Sequence, residues 1–482
     1  MLYTKSMNEL SELLEKKEVK SEDIAKELID RTSRIDPKIN SYITFDPENF
    51  LSAAKDSDER RSSGKAFSRF DGIPVALKDN IAVKDIKLSC ASKILGEFKS
   101  PYNATTVEKL KTKGFIISGK TNLDEFAMGS TTESSFYGPT KNPHNTSKVP
   151  GGSSGGSAAA VSASLVPVSL GSDTGGSIRL PASFCGIVGI KPTYGRVSRF
   201  GLVAYASSLD QIGTFARSVD DAADLLSVIS GHDVKDSTSA EGKLDFDSTL
   251  LTGNVKGLRI GLPDEYFKGV NSEVTDAIMK TVSELEKQGA STVKLSLKMT
   301  EYAVPVYYLI ATSEASSNLS RFDGIRYGRR PEKFSSLSDL YDTARSEGFG
   351  SEVKRRIVLG TYSLSSGYYD AYYLKALKGR TLIINDFRDA FTKCDVIISP
   401  VAPVTAFGIG EKINDPLSMY MADILTISAN LAGIPGISIP VGLDSGKMPI
   451  GMQIMGNHFG EKDILNAAKA AEKISGKYAP QI

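Results

Sequence analysis

The sequence contains no tryptophan and only three cysteines and three histidines among its 482 residues. Cys90, Cys185 and Cys394 lie far apart in the chain and form no Cys-x-x-Cys pair. This spacing argues against a disulfide framework and a zinc site, and it is typical of a protein from a reducing compartment. The scarcity of histidine also disfavours mechanisms that depend on an imidazole base.

Neither sign of charge is in excess, and no long hydrophobic run is present. The formal net charge is +1, with 40% hydrophobic and 24% charged residues, which is ordinary for a globular protein. This balance gives no indication of direct nucleic-acid binding. Residues 1–20 have no apolar signal-peptide core, and no window reaches the roughly 20 apolar residues of a membrane helix. We therefore expect a cytoplasmic protein without membrane association.

Strand and helix patterns alternate along the chain. The predicted strands cover residues 73–77, 115–117, 166–170, 258–262, 396–399, 436–441 and 450–455. The predicted helices cover residues 21–35, 105–110 (with a capping box at Thr105 and Glu108), 157–165, 272–287, 419–431 and 462–474. This alternation predicts an α/β fold with a mixed sheet. We find no repeat or long linker, and therefore predict a single domain over residues 1–482 with a mainly helical insertion at about 300–392.

Two Gly-Gly-Ser elements are the most informative feature of the sequence, at residues 151–153 and 175–177. Glycine lets the backbone turn sharply and lets other groups approach its amides, and serine can act as a nucleophile or proton relay. A flexible linker would not continue directly into an alanine-rich helix and an apolar strand. A phosphate-binding P-loop would need Lys-Ser or Lys-Thr after the glycines. The pattern therefore indicates a catalytic centre.

Ser177 is the better candidate nucleophile, because a predicted buried strand leads into its turn. The backbone amides of Thr174, Gly175, Gly176 and Ser177 could converge on one point and form an oxyanion hole without side chains. A tight turn with an incidental serine is the alternative interpretation of this motif alone.

Ser153 offers a different enzymatic interpretation. It lies in a Gly-x-Ser-x-Gly pattern, which is typical of the nucleophile elbow of α/β-hydrolases. That elbow follows a strand and needs a histidine, for which His232 and His458 are the candidates. A polar loop precedes Ser153 instead of a strand, which disfavours this alternative.

Lys78 is the candidate base for a mechanism without histidine. A lysine can activate a serine when burial or positive potential lowers its pKa. Lys78 follows the predicted strand at 73–77, and Asp79 and Asn80 could continue a polar network around it. From the residues alone, an exposed lysine remains the alternative, since most lysines lie at the surface.

Three motifs resemble those of the amidase signature family in order and spacing, and the resemblance covers nearly the whole chain. They are residues 72–80, 151–157 and 173–181. The resemblance implies the amidase signature fold, a central mixed β-sheet flanked by helices on both faces. It also implies amide cleavage by Ser177 as nucleophile, Lys78 as base and Ser153 as the relay between them. In that family the relay serine follows a cis peptide bond.

Further segments are similar to the glutaminase subunits of tRNA-dependent amidotransferases, a branch of this family. These segments are residues 321–328, 352–361, 366–373 and 421–436. The resemblance assigns Arg356 to the carboxylate of glutamine and Asp423 to its ammonium group, pairings that suit both side chains. On the residues alone, a surface cation beside Lys354 and Arg355 is the favoured interpretation of Arg356. The other implied substrate-binding residues are Ser154, Met128, Gly129 and either Tyr307 or Tyr308, between which the sequence does not choose.

The implied function is hydrolysis of glutamine to supply ammonia to a partner subunit. A GatB-like subunit would hold ATP, Mg²⁺ and the misacylated tRNA, and a small GatC-like subunit would complete a heterotrimer. No metal or organic cofactor is expected in this chain. A stand-alone amidase acting on other small amides, and a scaffold without catalytic activity, are the alternatives.

Overall fold

A computed structural model describes residues 1–242, 244–412, 421–476, 478–480 and 482. The strands are β1 (Tyr42–Phe45), β2 (Pro74–Lys78), β3 (Ile116–Thr121), β4 (Val168–Asp173), β5 (Val188–Lys191), β6 (Gln211–Ala216), β7 (Arg259–Pro263), β8 (Ser291–Leu295), β9 (Val396–Pro400), β10 (Gly436–Leu443) and β11 (Pro449–Gly456). The α-helices are α1 (Met7–Glu15), α2 (Ser21–Ile39), α3 (Pro47–Ser62), α4 (Thr105–Thr112), α5 (Gly155–Ser162), α6 (Arg179–Cys185), α7 (Val219–Ile229), α8 (Asp264–Phe267), α9 (Ser272–Lys287), α10 (Ala303–Leu319), α11 (Leu337–Gly348), α12 (Ser351–Leu364), α13 (Lys375–Ala390), α14 (Ile427–Ala432) and α15 (Glu461–Ser475). Short 3₁₀ segments include Glu125–Ala127 and Met421–Asp423, and Asp370–Leu374 forms a π-helical turn.

Within the described residues, eleven strands form one mixed sheet in the order β1-β3-β2-β4-β6-β5-β10-β11-β9-β7-β8. The neighbours β3, β2 and β4 are parallel, as are β9, β7 and β8, and the remaining pairs are antiparallel. Because β2 and β4 are parallel neighbours, their last residues, Lys78 and Asp173, lie at the same edge of the sheet. The sheet therefore brings two motifs that are distant in sequence to one place.

Alternate residues of a strand pack into different hydrophobic clusters. In β9, Val396 and Ile398 join a cluster that includes α7, α9 and α15, whereas Ile397 joins one that includes α10 and α13. Successive side chains of a strand point to opposite faces, so helices cover both faces of the sheet. The predicted α/β fold with a central mixed sheet flanked by helices on both faces is confirmed.

Most predicted elements are present with small changes in their bounds. The helix predicted over 272–287 is α9, and the strand predicted over 436–441 is β10. The capping box predicted at Thr105 is wrong, because Ala104 is the N-cap residue of α4 and makes no side-chain cap. The Thr105 hydroxyl instead donates to Asp233, which ties α4 to a distant loop.

The helix predicted over 419–431 is present only at its end, where residues 427–431 lie in α14, and residues 419–420 lie outside the described residues. A short 3₁₀ turn, Met421–Asp423, is followed by a break before α14. Thr426 lies in that break, and its hydroxyl donates to the carbonyl of Gly175 at 2.7 Å. If the helix were continuous through residues 423–427, its backbone could not place Thr426 beside the second glycine turn.

Helices α10 to α13 lie within residues 300–392, the segment predicted to be a helical insertion. Helix α10 packs against both α12 and α13. Tyr307 on α10 and Arg356 on α12 are both buried, so this helical group contributes side chains to the interior. Across the described parts of the chain, none of the helices combines the length and apolar character needed to cross a lipid bilayer.

Candidate active site

Lys78 is fully buried at the end of β2, so the alternative of a surface lysine is wrong. Its Nζ donates to the hydroxyls of Ser153 at 2.7 Å, Ser154 at 2.8 Å and Ser172 at 3.0 Å. Burial lowers the pKa of Lys78 to about 7, although nearby carboxylates, Asp124 first among them, act in the opposite direction. Lys78 is therefore a group that can take up and release a proton near neutral pH.

The two glycine turns meet beside Lys78. The Gly152–Ser153 peptide bond is cis, and the Ser154 amide donates to the carbonyl of Ser177 at 3.2 Å. Ser177 keeps 7% of its surface exposed, whereas Ser153 is fully buried. Within the described part of the chain, the Ser177 hydroxyl makes no hydrogen bond. The structure therefore places the Ser153 hydroxyl beside Lys78, while among the described residues no hydrogen bond joins the hydroxyls of Ser153 and Ser177.

Asp173 supports the turn that carries Ser177. Its carboxylate accepts hydrogen bonds from the amides of Gly176 at 2.8 Å and Ile178 at 3.1 Å, and from the Arg179 guanidinium. Burial disfavours its charge, but Arg179, Lys191 and Asn430 together outweigh this effect, and the pKa of Asp173 is lowered to about 2. The Gly176 amide is thus bound to a carboxylate in this structure, which argues against it as a donor to the oxyanion.

The amides of Thr174, Gly175 and Ser177 differ from that of Gly176. None of these three amides donates to an acceptor among the residues that the structure describes. They remain the candidates for an oxyanion hole, because an N–H group without a protein partner can donate to a developing negative charge.

Arg356 is buried on α12 and is not a surface cation. Its Nε donates to Glu352 at 2.8 Å, and its Nη1 donates to the hydroxyl of Tyr205 at 2.7 Å. The centre of the guanidinium also lies 5.3 Å from the ring centroid of Tyr308. These contacts fix the plane of a cationic fork of the kind that binds a carboxylate with two parallel hydrogen bonds.

Of the two candidate tyrosines, Tyr307 is the one that reaches the second glycine turn. A Cβ atom on Gly175 would lie only 2.7 Å from the Tyr307 hydroxyl oxygen, so this approach requires glycine. Tyr308 instead faces Arg356, so the structure separates two residues that the sequence could not distinguish.

Asp423 lies on the other side of the second glycine turn. The Ser130 hydroxyl donates to Oδ2 of Asp423, whereas Oδ1 is buried and has no partner among the described residues. A Cβ atom on Gly176 would lie 3.4 Å from that oxygen. Burial raises the pKa of Asp423 to about 8, against the effect of Ser130. A cation bound beside Oδ1 would favour the ionised carboxylate and lower this pKa.

The remaining predicted substrate-binding residues are Ser154, Met128 and Gly129. The Ser154 hydroxyl is fully buried, accepts from the buried lysine and donates to the carbonyl of Ser172 at 3.0 Å. It therefore belongs to the surroundings of the lysine, and its contact with substrate stays a prediction. Met128 is buried and Gly129 is half-buried, and both directly precede Ser130, the residue that binds Asp423.

The histidines required by the nucleophile-elbow alternative lie elsewhere. Nδ1 of His232 is 3.2 Å from the carbonyl oxygen of Ser239, and His458 packs beside Phe459. Among the described residues, neither histidine forms a hydrogen bond to Ser153. The structure therefore gives no support to an elbow centred on Ser153. The described residues also contain no group of three or more His, Cys, Asp or Glu side chains that could hold a metal ion.

Several residues that support the site were missed by the sequence reasoning. They are Ser172, Asp173, Tyr205 and Glu352. The spacing of Glu352 and Arg356, four residues apart on a helix, is a signal that could have predicted their ion pair. Ser172 and Asp173 end the strand beside β2, which the sequence shows only once the two strands are known to be neighbours.

Comparison with known proteins matches residues 23–465 to the family model described as Amidase. The chain belongs to the amidase family. The resemblance inferred from the sequence motifs is therefore confirmed, and with it the expected fold class of an amidase.

Among relatives of this amidase, the GatA subunit of glutamyl-tRNA(Gln) amidotransferase from Persephonella marina is 53% identical over 484 residues, covering 100% of both chains. The protein of the same name from Thermoanaerobacter pseudethanolicus is 56% identical, covering 98% of this chain and 96% of its own. The crystal structure of the GatA subunit from Thermotoga maritima superposes with a TM-score of 0.82 at 41% identity, covering 98% and 96% of the two chains. The peptide amidase from Stenotrophomonas maltophilia has a TM-score of 0.85 at 28% identity, covering 99% and 98%.

Proposed function

We propose that this chain is the glutaminase subunit of a tRNA-dependent amidotransferase. It hydrolyses glutamine and supplies ammonia for the conversion of Glu-tRNA(Gln) to Gln-tRNA(Gln), or of Asp-tRNA(Asn) to Asn-tRNA(Asn). The observation that carries this proposal is the position of Tyr307 and Asp423 around the turn that bears Ser177, with Arg356 beside Tyr308, the next residue of α10. A receptor for a carboxylate and a receptor for an ammonium group beside a serine suit an α-amino acid amide. The GatA relatives with more than 50% identity support the same function.

In the proposed mechanism, the reaction begins with neutral Lys78. Ser177 Oγ attacks the side-chain carboxamide carbon of glutamine as its proton passes to Ser153, whose own hydroxyl proton passes to Lys78. Binding of glutamine would bring the Ser177 hydroxyl within hydrogen-bond distance of Ser153. The free amides of the Ser177 turn bind the oxyanion, and losing one such donor typically costs about 3 kcal/mol of barrier. The proton returns to the leaving nitrogen, ammonia departs, and water then hydrolyses the γ-glutamyl ester.

The partners of the proposed assembly follow from the same function. A GatB-like subunit would bind ATP, Mg²⁺ and most of the tRNA, and a GatC-like subunit would complete the heterotrimer in the cytoplasm. This chain would need no metal or organic cofactor of its own, since serine, lysine and backbone amides carry out the proposed hydrolysis. Its near-neutral composition is consistent with a tRNA bound mainly by the partner.

The experiment that tests this function is co-purification of the full chain with its partner subunits, followed by an amidation assay. We expect conversion of Glu-tRNA(Gln) or Asp-tRNA(Asn) to depend on both glutamine and ATP. The second candidate is a stand-alone amidase, which the structural similarity to a peptide amidase favours. Faster hydrolysis of peptide, aryl or fatty amides than of glutamine by the assembly would support that candidate instead.

The pH dependence of glutamine hydrolysis provides a further test. Lys78 acts as a base only when neutral, and burial lowers its pKa to about 7. Asp423 binds an ammonium group only when ionised, and its pKa is about 8 before substrate binds. We therefore expect kcat/KM to fall as the pH drops through this range and to level off above about pH 8. A profile that stays flat across this interval would show that neither ionisation controls the reaction.

A further inference from the structure

Glu125 connects the catalytic turns to the helix that carries Arg356. Its side chain is buried, and its Oε2 accepts a hydrogen bond from the Gly350 amide at 2.8 Å. The Ser92 hydroxyl donates to Oε1 of the same carboxylate. Gly350 is the N-cap residue of α12, so Glu125 satisfies a backbone donor at the positive end of that helix. Arg356 lies less than two turns further along α12.

The preceding residue, Asp124, is bound to the relay serine. Its amide donates to the carbonyl of Ser153 at 3.1 Å. Its carboxylate accepts from the amides of Thr131 at 3.2 Å and Thr132 at 2.9 Å, which fixes the orientation of this segment. Asp124 therefore binds the backbone of Ser153, and the adjacent residue, Glu125, binds the start of α12.

Glu125 and the start of α12 are in close steric contact at Gly350. A Cβ atom on Gly350 would lie only 2.3 Å from Oε2 of Glu125, so only glycine allows this approach. The next residue, Phe126, packs against Phe322 and Phe349, with ring centroids 5.2 Å and 5.7 Å away. Movement of α12 relative to the Glu125 turn would disturb both the hydrogen bond and the aromatic packing.

We propose that Glu125 is a positioning residue that sets the distance between Arg356 and the serines, and so selects glutamine over the shorter asparagine. The inference rests on the proposed function, because it requires Arg356 to bind the carboxylate of an amino acid. With that carboxylate fixed, only a side chain of the right length brings its amide carbon to Ser177. If Arg356 were displaced, a glutamine placed for attack by Ser177 would lose part of its contact with the guanidinium, which weakens binding and raises the KM.

Replacement of Glu125 by alanine or by glutamine tests this role in the assembled complex. Glu125→Ala removes both acceptors, and we expect it to raise the KM for glutamine by about ten- to a hundredfold, with a smaller effect on kcat. We also expect the preference for glutamine over asparagine to fall. Glu125→Gln should remain close to the parent protein, because its amide oxygen can accept from Gly350 while its NH₂ group donates to Ser92.

Propionamide separates positioning from a general loss of structure, because it has neither a carboxylate nor an ammonium group. We expect Glu125→Ala to hydrolyse propionamide as fast as the parent protein. Gly350→Ala, which pushes α12 away from Glu125, should raise the KM for glutamine in the same way and provides a second, independent variant. Equal losses on both substrates would overturn the inference by showing that the whole site had collapsed.

The inference and the proposed function fail in different ways. If the parent complex hydrolysed glutamine and Glu125→Ala left its KM unchanged, only the positioning role would be rejected. If the parent complex hydrolysed propionamide but not glutamine, the proposed function would be rejected, and the positioning role with it.

Discussion

Ser177→Ala is expected to lower the kcat for glutamine hydrolysis by about 10⁴-fold or more, because it removes the attacking oxygen. The fold should be unaffected, since the Ser177 hydroxyl makes no hydrogen bond within the described residues and Ser177 keeps 7% of its surface exposed. Ammonia release from glutamine measures the activity, and thermal unfolding of the same samples measures the stability.

Ser162→Ala is the matched control for that substitution. Ser162 is also a buried serine, but its hydroxyl donates to the carbonyl of Cys185 at 2.7 Å and has no contact with Lys78. We expect this variant to keep its activity and to lose on the order of 1 kcal/mol of stability. Activity that survived Ser177→Ala and disappeared in Ser153→Ala would assign the nucleophile to Ser153 instead.

Lys78→Met is expected to abolish glutamine hydrolysis while the protein remains folded. Methionine fills a similar volume without a charge, and the hydroxyls of Ser153 and Ser172 then lose the group that accepts or donates the proton. Burial lowers the pKa of Lys78 to about 7, below the normal pKa of lysine. Burying this side chain therefore reduces the stability of the fold at any pH below the normal lysine pKa, and the loss is largest below pH 7. Removing Lys78 should therefore leave the melting temperature at pH 7 no lower than that of the parent protein.

Lys191 provides an unusually close control for Lys78. It too is fully buried, and burial likewise lowers its pKa to about 7. Its Nζ donates to the carbonyl of Pro192 at 2.8 Å, and it contacts no serine hydroxyl among the described residues. We expect Lys191→Met to retain glutamine hydrolysis. Equal loss of activity in both variants would mean that a buried charge, and not a base beside Ser153, is what the reaction requires.

The sequence predicted seven of the eleven described strands, because their hydrophobic patterns are local, and it missed β1, β5, β6 and β8. It could not predict that β2 and β4 are parallel neighbours, although this pairing brings Lys78 to the serines. The capping box at Thr105 failed because a distant partner, Asp233, binds the threonine hydroxyl. The local sequence pattern therefore predicted secondary-structure elements, whereas contacts between distant segments determined how the strands pair and how the helices are capped.

In the candidate site, too, some residues could be recognised from the sequence, whereas their contacts could not. The glycine turns and Lys78 could be recognised from motifs, whereas the engagement of the Gly176 amide by Asp173 is visible only in three dimensions. Likewise, the choice between Tyr307 and Tyr308 depends on how α10 packs against the turn. The burial of Arg356 depends on Glu352 and Tyr205, one of which lies in a loop far from α12 in sequence.

The pairing of β2 with β4 also has a consequence for how the protein matures. Lys78 meets Ser172 only after the intervening segment, which contains α4, β3 and α5, has been placed, and parallel pairings between distant segments are slow to form. Asp423 and Arg356 come from still later parts of the chain. A nascent or incompletely refolded chain can therefore contain most of its helices without an assembled catalytic centre.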